Sequence, residues 1–250
     1  MRTAEEIGSS VVHRAVAAEV DRMRRRTPER TPRVLDVGGG SGAWAVRVAR
    51  LGCAVTVVDN SPNALAALQR RARDAGVAEL VTAVQGDVDA LGDVAPGGGA
   101  DLVLGHGLLE VVDDAAAAVD ALTAATAPGG AVSVLVAGRH GAVLARTLGG
   151  RLAEARAVLA DPEGRSGPDD PLRRRLDTAT LRALLEARGL LRVELIQGDG
   201  VLEGWVPGSV LDGAPAASRA VSELEDLAAA TPALLELADR LHAVARRSAA

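Results

Sequence analysis

The sequence predicts an α/β fold in which a doubly wound, mostly parallel sheet of seven strands is covered by helices. Short apolar runs typical of strands alternate with helical patterns along most of the 250 residues. A glycine cluster follows the first apolar run, and acidic residues follow the next two. Such residues are typical of the carboxyl edge of an open sheet, where ligands bind. We expect one domain, residues 1–250, which is long enough to bury a single core.

The predicted elements alternate in chain order as this fold requires. Strands are expected near residues 33–37, 54–59, 80–85, 101–105, 131–137, 191–197 and 241–246. Helices are expected near residues 8–26, 43–51, 62–75, 114–126 and 178–188. Pro128-Gly129-Gly130 is expected to turn the chain into the fifth strand.

Two stretches interrupt this alternation, residues 138–176 (the first insertion) and residues 201–239 (the second insertion). Both are expected to leave the sheet at its carboxyl edge or flank, where ligands bind. We therefore predict that the two insertions form a helical lid.

Composition excludes several classes of protein. The single cysteine, Cys53, excludes an intramolecular disulfide framework, and no Cys/His spacing indicates a metal site. No apolar run approaches membrane-spanning length, so we expect a cytoplasmic protein without a membrane partner. All 28 basic residues are arginine and the net charge is −5. The arginines follow from a G/C-rich codon bias, so their abundance does not indicate nucleic-acid binding.

The turn after the first strand reads Asp36-x-Gly38-Gly39-Gly40-x-Gly42 and opens into a helical pattern. Glycines there permit positive φ angles and let a ligand approach the main chain closely. The helix that follows directs its N-terminal N–H groups at that ligand. The motif predicts a nucleotide-type site.

Two interpretations of this turn compete. Gly38-x-Gly40-x-x-Ala43 satisfies the dinucleotide fingerprint of an NAD-binding oxidoreductase. The same turn resembles motif I of the class I S-adenosylmethionine (SAM) methyltransferases. Asp36 favours the second interpretation, because an acid there repels a pyrophosphate and attracts the sulfonium and ammonium groups of SAM. A catalytically silent SAM-binding module is a third possibility.

Further acids follow the next two strands. Asp59 ends the second strand, where a carboxylate can accept hydrogen bonds from both ribose hydroxyls, and Asn60 follows it. Gly86-Asp87-Val88 follows the third strand, where Asp87 can contact the exocyclic amine of an adenine. The alternative is that these acids cap the helices that follow them.

Candidate residues for the chemistry lie further along the chain. His106 follows the fourth strand, where it can contact the cofactor, position the substrate or act as a general base. Arg139, His140 and Arg146 open the first insertion, where residues 139–175 carry eight arginines against five acids. Such a basic lid can bind an anionic substrate, although exposed arginines on a solvated helix give the same count.

Taken together, these motifs resemble a Rossmann-like class I SAM-dependent methyltransferase, and within it the bacterial tRNA 5-carboxymethoxyuridine methyltransferases. The matching stretches are Val34–Gly40, His106 with Leu109-Glu110-x-Val112, His140-Gly141, Pro168-x-x-Pro171 and Leu241-His242-x-x-Ala245-Arg246. The resemblance implies a cofactor pocket lined by Asp36, Gly38, Gly39, Asp59, Asp87 and His106, with Arg14 reaching the methionine carboxylate. It also implies that the acceptor is a carboxylate on a tRNA wobble uridine.

The chain departs from that family on the substrate side. The fifth strand ends in Val-Ala-Gly138, and Val201–Gly204 lacks the expected basic and aromatic side chains. These departures favour a small-molecule O- or N-methyltransferase as the alternative to tRNA. The oligomeric state is left open.

Overall fold

A computed structural model describes residues 11–88, 91–94, 99–207 and 215–249. Its centre is a seven-stranded sheet in the order β3-β2-β1-β4-β5-β7-β6. The strands are β1 (Arg33–Val37), β2 (Ala54–Asp59), β3 (Val81–Gln85), β4 (Ala100–His106), β5 (Thr126–Ala137), β6 (Leu191–Asp199) and β7 (Arg240–Arg247). Neighbouring strands from β3 to β5 are parallel, and β7 runs antiparallel to both β5 and β6. The predicted seven-stranded, mostly parallel sheet is confirmed.

Helices cover both faces of the sheet. They are α1 (Val11–Arg26), α2 (Ala43–Arg50), α3 (Pro62–Asp74), α4 (Leu91–Val94), α5 (Ala115–Ala125), α6 (Arg139–Leu148), α7 (Leu152–Ala160), α8 (Thr178–Glu186), α9 (Pro215–Ala230) and α10 (Pro232–Leu235). Successive strand residues point to opposite faces. Val34 of β1 therefore packs with α1, α2 and α3, whereas Leu35 packs with α5 and α8.

Strand β5 begins earlier than its apolar pattern predicts. Ala100 of β4 pairs with Thr126, and the register then shifts so that Leu102 pairs with Ala131. Pro128-Gly129-Gly130 is thus an irregularity inside β5, with Gly129 at φ 69°, and not a turn that precedes the strand. The prediction failed because backbone pairing with β4 already starts before the irregularity.

Three helices that begin at the carboxyl edge of the sheet have a side-chain cap. Ser61 accepts a hydrogen bond from Ala64 N at the start of α3. Asp114 caps α5 and Asp177 caps α8 in the same way. Such caps satisfy backbone donors that the helix itself leaves unpaired, so the edge carries polar residues for structural reasons as well.

The two insertions meet at their bases. The first holds α6 and α7, and the second holds a 3₁₀ turn (Glu203–Trp205), α9 and α10. A Cβ atom at Gly138 or at Gly141 would lie 2.2 Å from the carbonyl oxygen of Ala238, so glycine permits this close contact. Among the described residues, no helix has the length and apolarity needed to cross a membrane.

Candidate functional site

A cavity of about 480 Å³ opens at the carboxyl ends of β1, β2, β3 and β4. Pockets for small molecules and cofactors commonly have this size. The residues that line it are Val37, Gly38, Val58, Asp59, Asn60, Gly86, Asp87, Val88, Gly107, Leu108, Val111, Val112, Asp113, Asp114, Ala117 and Arg173. Six of the predicted cofactor residues are therefore at the cavity: Gly38, Asp59, Asn60, Gly86, Asp87 and Val88.

The glycine turn builds one side of the cavity. Gly38, Gly40 and Gly42 have φ angles of 69°, 55° and 77°, a region that side chains with a Cβ rarely adopt. Only Gly38 lines the cavity. A Cβ at Gly42 would lie 2.1 Å from Leu68 Cδ1, and one at Gly39 would lie 2.5 Å from Asp36 Oδ2. Gly39, Gly40 and Gly42 thus determine the shape of the turn, but they do not line the cavity.

Asp36 does not line the cavity, although its charge was the argument for SAM over a dinucleotide. It is 1% exposed and accepts a hydrogen bond from the backbone N–H of Ala45 in the first turn of α2. Burial, with a smaller contribution from the nearby Asp59, raises the pKa of this carboxyl to about 7. Asp36 therefore stabilises the start of α2, which Gly42 cannot cap with a side chain.

Asp59 connects the glycine turn to the second strand. Its Oδ2 accepts a hydrogen bond from Gly40 N at 2.8 Å, and its Oδ1 accepts one from Ser61 N at 2.9 Å. A carboxylate oxygen has two acceptor sites, so each can still accept a hydroxyl from the cavity. The arrangement fits a ligand with two neighbouring hydroxyls.

Asp87 lies across the cavity from apolar walls. Its Oδ1 accepts a hydrogen bond from Val88 N at 2.6 Å, which fixes the carboxylate at the end of β3. Val37, Val58 and Leu108 supply apolar surface. Apolar walls with a few placed polar groups are typical of sites that bind a flat heterocycle.

The loop between β4 and α5 supplies much of the cavity wall, which sequence reasoning largely missed. Arg174 holds this loop, because its guanidinium donates to the carbonyl oxygens of Leu109, Val112 and Asp113 at 2.5–2.8 Å. Arg173 pairs with the Asp113 carboxylate at 2.7 Å. The sequence signal was the match at Leu109-Glu110-x-Val112, which carried no information on which side chains face the ligand.

His106 is the last residue of β4 and is not among the residues that line the cavity. Its Nε2 is 2.8 Å from Ser133 Oγ, and its ring packs edge-on against Trp44 with the ring centroids 4.7 Å apart. Burial, together with His242 and Arg240, lowers its pKa well below the usual range. His106 therefore belongs to β4 and not to the loop after it, and the strand carries this side chain onto the face covered by α1 and α2. Its predicted contact with the cofactor stays a prediction.

Arg14 is placed away from the cavity as well. Its guanidinium forms an ion pair with Asp226 of α9, which joins the first helix to the second insertion. The contact of Arg14 with the methionine carboxylate that the resemblance implies stays a prediction.

The three predicted substrate residues make contacts inside the insertions. Arg139 donates to the carbonyl oxygens of Leu159, Asp161 and Pro162, which closes the chain after α7. His140 lies 3.1 Å from Glu236, and Arg146 contacts Glu154. The three side chains therefore bind protein groups. A count of arginines suggested an anion site because it does not reveal such internal ion pairs and hydrogen bonds.

Comparison with known proteins supports the methyltransferase interpretation. Residues 34–130 match the family model described as a methyltransferase domain. The chain is 28% identical over 159 residues to tRNA 5-carboxymethoxyuridine methyltransferase of Escherichia coli strain K12. That match covers 61% of this chain and 59% of the relative.

Solved structures share the fold at low identity. Magnesium protoporphyrin IX methyltransferase from Synechocystis PCC 6803, solved with bound SAH, has a TM-score of 0.58 at 16% identity and covers 95% of this chain and 84% of its own. The [4+2]-cyclase SpnF also has a TM-score of 0.58, at 19% identity over 95% and 83%. The second structure shows that the fold alone does not determine an activity. Residues 34–130 therefore match a methyltransferase domain, and the sheet order and the solved structures give the chain the class I methyltransferase fold; a domain of this kind implies S-adenosylmethionine as the cofactor.

Proposed function

We propose that this protein transfers a methyl group from SAM to a nucleophilic oxygen or nitrogen of an acceptor. The observation that carries the proposal is the cavity at the carboxyl edge, which is lined by Asp59 and Asp87 together with apolar side chains and Gly38 of the glycine turn. We infer that Asp59 accepts hydrogen bonds from the ribose hydroxyls and that Asp87 accepts one from the adenine amine. Val58, Val88 and Leu108 then pack against the adenine.

These residues fit SAM better than a dinucleotide. Four carboxylates line the cavity, those of Asp59, Asp87, Asp113 and Asp114, and Arg173 is the one basic residue among the described lining residues. Arg173 is itself paired with Asp113. Because like charges repel, this lining disfavours a pyrophosphate and suits a cationic ligand. The argument against NAD therefore rests on the acids that line the cavity and no longer on Asp36.

Methyl transfer requires alignment more than acid–base chemistry. When bound, SAM would supply an electrophilic methyl group, and its positively charged sulfur would leave with the electron pair as a neutral thioether. The contribution of the chain is to hold the nucleophile in line with that bond and to exclude water. A carboxylate acceptor is already ionised at neutral pH and needs no base.

The carboxylate of a tRNA wobble uridine is the first candidate acceptor. It is supported by the relative from Escherichia coli, whose name gives that substrate. A small-molecule acceptor is the second candidate. It is favoured by the arginines of the first insertion, since Arg139, Arg174 and Arg175 are engaged by protein groups. Both reactions would proceed in the cytoplasm, which agrees with the buried free thiol of Cys53.

The test is radiolabel transfer from methyl-tritiated SAM to two substrate pools. One pool is total tRNA from a strain that lacks this gene, and the other is an RNA-free small-molecule extract. Label in tRNA that survives phenol extraction and is released by base supports the carboxylate ester. Label in the small-molecule pool alone supports a metabolite acceptor and contradicts the tRNA proposal.

A binding control separates the enzyme classes. S-adenosylhomocysteine should stabilise the protein against thermal unfolding, and NADH should not. Stabilisation by NADH alone would contradict the proposed function. If S-adenosylhomocysteine binds but neither pool is labelled, the protein is a SAM-binding module without methyltransferase activity on these acceptors.

A further inference from the structure

A chain of hydrogen bonds crosses four neighbouring strands on one face of the sheet. Gln197 Nε2 of β6 lies 3.0 Å from His242 Nδ1 of β7. His242 Nε2 lies 2.8 Å from Ser133 Oγ of β5, and Ser133 Oγ lies 2.8 Å from His106 Nε2 of β4. These contacts connect Gln197 near the end of β6 to His106 at the end of β4.

Both histidines of this chain are neutral near pH 7. Ser133 and His242 have no exposed surface. Burial lowers the pKa of His242 to about 4, and it also lowers the pKa of His106. A neutral imidazole has one nitrogen that donates and one that accepts, so a partner on one nitrogen determines the role of the other.

The amide of Gln197 sets the direction of the whole chain. Its NH₂ group donates to His242 Nδ1, which must therefore be unprotonated. His242 then donates from Nε2 to Ser133 Oγ. The Ser133 hydroxyl keeps one proton, and we infer that it donates this proton to His106 Nε2, which lies 2.8 Å away. With Nε2 of His106 accepting, its proton resides on Nδ1.

The Nδ1 atom of His106 is buried and has no hydrogen-bond partner in the part of the chain that the structure describes. Its neighbours Gly107 and Leu108 line the cavity. Its ring contacts Trp44, which is the second residue of α2 and follows the glycine turn directly. The donor therefore belongs to the region between the glycine turn and the exit of β4.

We propose that Gln197, His242 and Ser133 are positioning residues that hold His106 in the Nδ1–H tautomer, so that Nδ1 donates a hydrogen bond to the carboxylate of the amino-acid portion of the cofactor. This inference rests on the proposed function, since SAM carries that carboxylate. It also excludes His106 as a general base, because the nitrogen that would accept a proton already carries one.

The tautomers can be measured without any ligand. The intact protein, labelled with ¹⁵N-histidine, contains four histidines, and each can be assigned in long-range ¹H–¹⁵N spectra by substituting it in turn. We expect His106 to be protonated on Nδ1 and His242 on Nε2. A proton on His106 Nε2 would overturn the proposal.

A variant at the far end of the chain tests the direction. Gln197→Leu removes the first donor, so a second tautomer of His106 should appear although three hydrogen bonds separate the two residues. Gln69→Leu, at an exposed position of α3, is the matched control and should leave the His106 signals unchanged. An unchanged His106 spectrum in the Gln197 variant contradicts the coupling.

Binding of S-adenosylhomocysteine, measured by calorimetry, tests the ligand. His106→Ala and Ser133→Ala should each raise the Kd about tenfold, because the donor is lost or no longer held. His106→Asn places an amide N–H near the position of Nδ1 and should bind within about threefold of the parent. Ser218→Ala, exposed on α9, is the control for the serine variant.

The outcomes separate the two proposals. If the parent protein does not bind S-adenosylhomocysteine, the proposed function fails, whereas the spectra still decide the tautomer. If it binds and the His106→Ala variant binds equally well, the proposed function stands and the role of Nδ1 is overturned. Thermal unfolding of each variant identifies one that does not fold, and the Gln197 and His106→Asn variants then carry the test.

Discussion

Around the cavity, Asp59 and Asp87 direct carboxylates toward the space for a ligand, whereas in the first insertion charged groups are directed inward. Arg139 and Arg174 donate to backbone carbonyl oxygens, and Arg175 pairs with a buried carboxylate. Charged residues thus line the cavity in one region and hold the backbone in the other. A count of charges does not distinguish these two uses. What distinguishes them is whether the surrounding backbone groups are already hydrogen-bonded within secondary structure.

The physical reason is the supply of hydrogen bonds. At the cavity, Asp59 and Asp87 accept backbone N–H groups only from the adjoining turns, and their remaining acceptor sites are available to a ligand. Residues 161–176 contain no helix or extended strand, and their carbonyl and amide groups need side-chain partners. Asp161 and Asp170 accept backbone N–H groups there, and Arg139 donates to the carbonyls.

Arg175→Ala tests the structural role of the arginines in the first insertion. Arg175 and Asp170 form a pair with side-chain exposures of 6% and 0%, so the variant leaves a buried carboxylate without its cation. We expect a loss of about 3–5 kcal/mol in the free energy of unfolding, measured by urea denaturation. Arg156→Ala, at an exposed position of α7, should change it by less than about 0.5 kcal/mol. Equal effects of the two variants would mean that the arginines of the insertion are not scaffolding.

Asp59→Ala tests the other side of the comparison. We expect the Kd for S-adenosylhomocysteine to rise about 100-fold, because two ribose hydroxyls lose a charged acceptor. Asp74→Ala is the control, since that carboxylate is exposed at the last residue of α3 and does not line the cavity. It should change the Kd less than about threefold. Because Asp59 also accepts Gly40 N and Ser61 N, the melting temperature of the variant must be recorded.

Much of this contrast is present in the sequence, but unevenly. Gly38, Asp59 and Asp87 could be placed at the cavity because a strand end and the turn after it are local features. His106 and Arg139 could not, because their partners are Ser133 and the carbonyl oxygens of Leu159 and Asp161. Whether His106 lies in β4 or in the loop after it depends on the last residue of the strand, which the apolar pattern does not determine.

The pH dependence of stability also separates the two regions. Asp36 is buried without a cation, and its pKa is raised from 3.8 to about 7. Asp170 accepts hydrogen bonds from Arg175 and Ser166, which outweigh its desolvation and hold its pKa below the usual range. The pKa values of these two buried carboxyls are thus shifted in opposite directions.

The signs follow from proton linkage. The folded protein binds the Asp36 proton more tightly than the unfolded chain, so this group lowers stability as the pH rises from about 4 to about 7, by up to about 1.4 kcal/mol per pH unit. Asp170 stabilises the fold above about pH 4, and that contribution is lost as the pH falls. In urea denaturation at a series of pH values, Asp36→Asn should flatten the slope between pH 4 and pH 7. An unchanged slope would show that Asp36 does not titrate in this range.

The position of β7 between β5 and β6 has a consequence for the order of assembly during synthesis. Strands β1 to β5 can pair with one another as they leave the ribosome. Strand β6 cannot join them at that stage, because β7, which separates it from β5, is made after β6. Until then β6 and the second insertion have no attachment to the parallel strands through the sheet. A stalled or truncated chain that stops before Arg240 would therefore expose two unpaired strand edges, on β5 and on β6, and such edges promote aggregation.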